Sequence, residues 1–170
     1  GAEATFGEMA GRWGLAETTI SYDGHNMERA VNVQELADDQ LEKGHVSMEF
    51  VFQRMGRRFA RGHGHRRVIY SMFHVVTKGD IVFAIGWIQP DNTVKGGTGW
   101  GVELAKLFNR PIYVFDQERN GWFTWGHEEW TLGVPRLPEK GTIAATGTRN
   151  LTDGGHAAIE ALFRDSLGEP

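Results

Sequence analysis

The order of segments between residues 81 and 115 constrains the fold more than anything else in the chain. Ile81, Val82, Phe83, Ala84 and Ile85 form a continuous apolar run, the pattern of a central parallel strand covered on both faces. A polar loop around Pro90 to Lys95 leads into Gly96-Gly97-Thr98-Gly99-Trp100-Gly101, where four of six residues are glycine. Val102, Leu104, Ala105, Leu107 and Phe108 then follow helical spacing, and Pro111 to Phe115 reads as a second strand. Strand, glycine turn, helix and strand in succession make a βαβ unit, which implies two parallel strands joined by a crossover helix.

The rest of the chain is read around that unit. Ala2, Phe6, Met9 and Trp13 recur at helical spacing, so the chain opens in an amphipathic helix that Gly14 ends. Leu15 to Tyr22 mixes apolar and β-branched residues as a strand does, and Asp23-Gly24-His25-Asn26 closes it with a turn. A short acidic helix is expected from Val33 to Lys43, and Met48, Val51, Phe52, Met55 and Phe59 trace one face of the next. Arg61 to His65, with two glycines, interrupts the pattern before Val68, Ile69, Met72, Phe73 and Val76 resume it up to Lys78-Gly79. Trp122 to Trp125 is expected as a short edge strand. Thr142 to Thr146 is expected as a buried strand, followed by a helix carrying Ile159, Leu162, Phe163 and Leu167. No repeat or linker divides the chain. The expectation is one domain over residues 1–170, an α/β, Rossmann-like three-layer sandwich with a mostly parallel central sheet flanked by helices.

Composition bounds the partners. With 40% hydrophobic residues in 170, there is material for one core and no room for a second full domain. A formal net charge of −4 weighs against nucleic acid or an anionic membrane as a general partner. The absence of cysteine excludes a disulfide framework and thiolate metal sites. No apolar run approaches the roughly 18 residues of a membrane span, and no basic stretch with an apolar core opens the chain. A soluble, unexported, cytoplasmic protein is therefore expected, one whose opening at Gly1 instead of Met is compatible with a trimmed start.

Several clusters could carry chemistry. Glycines where a strand gives way to a helix let backbone amides turn toward a phosphate at the helix N-terminus, so Gly96, Gly97, Thr98 and Gly99 are candidate phosphate ligands. The spacing matches neither the dinucleotide fingerprint nor the Walker loop, and a plain tight turn is the alternative. Glu103, one turn further, is the candidate catalytic carboxylate, able to act as a general base or to stabilise positive charge at an anomeric carbon. The helix dipole alone also favours an acid there. Thr148 and Arg149 follow the late strand, at the sheet edge where open parallel sheets bind ligands. His25 and Asp116 are candidates because they too lie at strand ends. Arg54, Arg57, Arg58, Arg61, Arg66 and Arg67, with His63 and His65, form a positive run that could meet phosphates or simply face solvent. His63-Gly64-His65 lacks a third ligand, so no metal is assigned, and no cofactor is expected. Trp122, Phe123, Trp125 and Trp130 could stack on a base or close a core edge.

Gly1-Ala2-Glu3-Ala4 with its helix, Ser21 to His25, Lys95 to Glu103, Tyr113 to Gln117 and Gly147-Thr148-Arg149 together resemble the SLOG superfamily, which contains the DNA-processing protein DprA, the LOG phosphoribohydrolases and many phage and bacterial members. The Gly-Gly-x-Gly turn with Glu103 downstream resembles the Pro-Gly-Gly-x-Gly-Thr-x-x-Glu motif of the LOG enzymes. Here Lys95 stands in place of the proline and Trp100 in place of the threonine. Members of this group usually place a strand before the first helix; either it was trimmed or the late strand at Thr142 to Thr146 fills its position. The resemblance implies a nucleotide or nucleoside-phosphate ligand, with hydrolysis of an N-glycosidic bond at Glu103 as one outcome. A non-catalytic module that senses a nucleotide signal such as an ADP-ribose derivative is the second, and single-stranded DNA binding the third. Related folds often self-associate, so a homo-oligomer is compatible with it.

Overall fold

A computed structural model describes residues 1–58 and 62–170. Phe59, Arg61 and the side chain of His63 lie outside the described residues. The elements run α1 (Ala2–Arg12), β1 (Thr19–Tyr22), β2 (Val33–Leu36), α2 (Asp38–Leu41), α3 (His45–Arg54), α4 (His63–Lys78), β3 (Ile81–Gly86), α5 (Thr98–Leu107), β4 (Ile112–Asp116), β5 (Gly121–Gly126), β6 (Glu129–Leu132), β7 (Ile143–Gly147) and α6 (Asp153–Leu167).

The βαβ unit forms as its sequence dictates. β3 pairs in parallel with β4, Val82 opposite Ile112, and α5 crosses between them. The pleat sends alternate β3 residues to opposite faces, and both faces are apolar. Val82 and Ala84 join a core built with α3, α4 and α5, among them Met48, Val51, Ile69 and Leu104. Phe83 and Ile85 join a second core with Phe6 and Met9 of α1 and Ile159 and Phe163 of α6. Helices therefore cover both sides of a five-stranded sheet of order β6-β5-β4-β3-β7. β1 and β2 form a separate parallel pair lying on α4.

The sheet is mixed, and this corrects the expectation of a mostly parallel one. β7, β3 and β4 are parallel, but β5 and β6 are antiparallel additions. Trp122 to Trp125 lies within β5, an inner strand, because the chain turns back and β6 becomes the edge. That turn is made by His127 and Glu128 with φ of 50° and 61°, left-handed at both central residues as a two-residue hairpin requires. Neither is a residue type that advertises such a turn. Residues 33–36 are strand and not the start of an acidic helix, since β2 pairs with β1 and only α2 and a short 3-10 turn follow. Among the described residues no helix is long and apolar enough to cross a membrane.

Candidate functional site

The connections leaving β3 and β7 diverge. β3 runs into α5 on one face of the sheet, β7 runs into α6 on the other, and the two strands are parallel neighbours with Ile85 opposite Gly147. In open α/β sheets ligands bind beyond the carboxyl ends at such a point, because the two connections diverge.

α5 begins over the end of β3. Gly86 is within 4.0 Å of Thr98 Cβ, measured from the position its own Cβ would take, and no side chain caps the helix. Gly96 and Gly97 are exposed, whereas Thr98 and Gly99 are buried. The glycines have different causes. Gly96 holds φ at 71°, a left-handed turn residue. Gly99 carries the tightest approach, since a Cβ there would stand 2.1 Å from the Val94 carbonyl oxygen. Gly97 meets only the Trp100 ring at 3.5 Å, so neither packing nor φ requires glycine at that position. Arg57, from the positive run, donates to the Gly96 carbonyl at 2.7 Å and the Val94 carbonyl at 3.3 Å and pins the turn.

The β7 side supplies charged groups. Thr148 accepts the Ala2 amide at 3.0 Å through its carbonyl, which seats the start of α1 against the strand end. Its own amide bonds Ile85, and its hydroxyl takes the Asn150 amide. Arg149 is exposed and makes no hydrogen bond or ion pair among the described residues. His25, at the end of β1, stacks on Tyr22 at 4.5 Å and meets the Ser21 hydroxyl at 3.3 Å. Burial first, then the Arg149 charge, holds His25 below the ordinary imidazole range, so it is neutral near pH 7. The late strand thus occupies the sheet position beside α1.

Glu3 went unrecognised as a site residue in the sequence. It sits in the first turn of α1, and Thr146 Oγ1 donates to its Oε1 at 3.0 Å. Its side chain is exposed by contact area, yet protein crowds its carboxyl closely enough that burial raises it above the usual carboxylate range. The bond ties the first turn of α1 to the end of β7. An acid at a helix start has a ready dipole explanation, and its partner is 143 positions away.

Of the other two candidates, Asp116 stands opposite Gly86 at the same sheet edge, and Glu103 lies elsewhere. Asp116 is buried at the end of β4, where its Oδ1 accepts the Glu118 amide at 3.0 Å and its Oδ2 stands 3.6 Å from Arg119 Nε, a turn-closing arrangement. Glu103 turns to the side of α5 away from Gly101, whose Cα faces β7. It pairs with Lys106 at 2.6 Å and Arg54 at 3.7 Å in a cleft of about 270 Å³ shared with Asp91, Thr93 and Trp125. Also from the positive run, Arg67 holds Asp38 and the Asp23 carbonyl. Among the described residues no cluster of three potential metal ligands occurs. No family model matches the chain, and neither a curated protein nor a solved structure matches it.

Proposed function

We propose that this chain is a SLOG-type, Rossmann-like module of the cytoplasm that binds a nucleotide or nucleotide-derived ligand in the crevice between the carboxyl ends of β3 and β7. The observation that carries this reading is the divergence of the two connections, with an uncapped helix start on one side and, on the other, an arginine that makes no hydrogen bond or ion pair among the described residues. In this reading the phosphate lies on the Gly96-Gly97-Thr98 turn and within reach of Arg149, whose fork suits two phosphate oxygens at once. Neutral His25 offers an uncharged ring edge to the rest of the ligand.

Binding is favoured over N-glycoside hydrolysis because the carboxylate that hydrolysis would use, Glu103, is already neutralised by Lys106 and Arg54. Single-stranded DNA binding loses support because Arg54, Arg57 and Arg67 are spent on Glu103, the glycine turn and Asp38.

Thermal unfolding against nucleotides, nucleosides and ADP-ribose derivatives tests the reading, since a ligand selective for the native state must raise Tm. The expected result is stabilisation by phosphate-bearing ligands that Arg149→Ala abolishes. No shift across the panel would overturn it. Glu103→Gln is expected to leave affinity for a stabilising ligand within about two-fold; a large loss of affinity or of base release would return Glu103 to the site.

A further inference from the structure

β6 ends the five-stranded sheet on the side far from β7, and no strand among the described residues pairs with its outer edge. We infer that this edge is a self-association surface. Two copies of the chain pair their β6 strands antiparallel about a two-fold axis at Thr131, joining two five-stranded sheets edge to edge. The surface is separate from the β3 and β7 ends and does not depend on what binds there.

The backbone supplies the first observation. Gly133 donates to the Trp122 carbonyl at 3.0 Å, which fixes the phase of the β5–β6 ladder. Hydrogen-bonded and non-hydrogen-bonded positions alternate along an antiparallel pair. Thr131 opposite Thr124 and Glu129 opposite Gly126 are therefore bonded inward, whereas the N–H and C=O groups of Trp130 and Leu132 point away from β5. Their side chains share a face with Trp125 and Phe123, which stand directly opposite them. Leu132 is 77% exposed, and Val134, just beyond the strand, 87%. Neither outward position carries a charge or a proline, and the register holds no bulge, the features that keep an edge from pairing. The opposite edge differs, since β7 is packed by α1 and α4 and has no exposed residue.

The residues of the strand then select a second copy. With the axis at Thr131, Trp130 of each copy stands opposite Leu132 of the other, and the outward amides of each copy meet the outward carbonyls of its partner. An exposed aliphatic side chain thereby covers an indole on both sides of the axis, and Thr131 meets Thr131; both are favourable cross-strand pairs. Glu129 falls opposite Gly133, so no acid directly faces an acid although Glu128 and Glu129 adjoin the edge. An axis at Trp130 would set Leu132 against Glu128 of the turn, and one at Leu132 would need Val134, which lies past the end of the strand. A second copy brings a strand already formed, which loses less conformational freedom than a free peptide laid on the same edge. The two-fold contact is closed and stops at two copies. With only four residues in the strand, the interface is at the small end of specific contacts, and the dimer dissociates on dilution.

The test is sedimentation velocity of this chain from about 1 to about 500 μM, a span suited to a contact at the small end of interface sizes. The expected result is a shift with concentration from the mass of one chain toward that of two. Leu132→Pro removes an outward amide and leaves the β5–β6 bonds in place, so it should fold and stay a single chain throughout. If that variant loses its fold, Leu132→Glu, which sets an acid against Trp130, should give the same single chain. Cross-linking reads the register. The chain has no cysteine, so a disulfide at a single introduced one joins two copies. Thr131→Cys puts the two thiols at a non-hydrogen-bonded pair, about 4.5 Å between Cα atoms and within disulfide reach, and should cross-link under mild oxidation. Leu132→Cys sets them two residues out of register, roughly 8 Å apart, and should not. A wild-type chain that keeps the mass of one copy over the whole range overturns the inference. So does a dimer that survives both Leu132→Pro and Leu132→Glu, or cross-linking by Leu132→Cys as readily as by Thr131→Cys.

Discussion

Lys106 Nζ lies 2.6 Å from Glu103 Oε1 and 3.8 Å from the centroid of the Trp125 ring, so one α5 cation is held between a carboxylate a turn earlier and an indole of β5. It also donates to the Asn92 carbonyl at 3.0 Å, and Trp130 donates to the same oxygen at 2.9 Å. The pair thereby ties α5, the loop after β3 and the β5–β6 hairpin into one unit. Burial pulls the Lys106 ammonium below its ordinary range, and Glu103 opposes that shift.

Because both side chains are only 4% exposed, the pair is stable only while both members are present. Lys106→Ala should leave Glu103 charged beside Arg54 alone and cost about 3–5 kcal/mol in urea unfolding. Replacing both, Lys106→Met with Glu103→Leu, should recover most of that loss. A single-variant cost below about 1 kcal/mol would show that water reaches the pair and that the Trp125 roof is not closed.

Gly97 and Gly99 separate what the glycine turn needs for packing from what it offers a ligand. Gly99→Ala drives a methyl group into the Val94 carbonyl oxygen at 2.1 Å, backbone that the Arg57 clamp holds in place, and should destabilise by roughly 3 kcal/mol. Gly97→Ala meets only a ring at van der Waals distance and should change stability by less than about 1 kcal/mol. Its methyl group stands on the exposed turn, so the same variant should weaken a phosphate-bearing ligand about ten-fold or more. Equal unfolding midpoints for the two variants would contradict this division.

His74 gives the folded state a defined weakness in acid. Its Nε2 donates to the Gln40 carbonyl at 2.7 Å, and burial, reinforced by Lys78 and Lys43, holds the ring below 6.5. The unfolded chain takes up the proton first as pH falls through 6.5, so stability drops from there down to the lowered value, and His25 acts in the same sense. Urea midpoints at pH 7.5, 6.5 and 5.5 should fall in that order. His74→Gln should flatten the slope, and an unchanged slope would assign the acid sensitivity to other groups.

The βαβ unit was legible because each of its parts carries its own local signal. Ile81 to Ile85 is too apolar for anything but a buried strand, and the four glycines mark the turn wherever the chain goes next. The helices α1, α4 and α6 were legible by periodicity. What failed depends on distant partners. Val33 to Leu36 is a strand only because Thr19 to Tyr22 lies beside it. The hairpin at His127-Glu128 uses two residues in left-handed conformations without glycine or asparagine to announce them. That Arg149, Thr148 and His25 follow strand ends was legible, since each comes just after a residue pattern that reads as a strand. The orientation of Glu103 was not, because helical spacing alone does not say which side of α5 the 88–94 loop and the β5–β6 hairpin will occupy. Glu3 was hidden for the same reason, since only the fold carries β7 beneath α1.

Glu3 makes a prediction opposite in sign to that of His74. Its carboxyl is raised in the folded state, so the folded protein holds the proton to higher pH than the unfolded chain, whose value is near 4.5. The stabilisation this gives is complete below 4.5 and is lost as pH rises through the raised value, above which the buried charge is a net burden. Glu3→Gln keeps the Thr146 hydrogen bond through its carbonyl oxygen and removes the charge. It should raise the urea midpoint at pH 7.5, and the difference from wild type should shrink as pH falls toward 4.5. A variant less stable than wild type at pH 7.5 would mean that the carboxylate serves the fold, through the α1 dipole or the N-terminal amine.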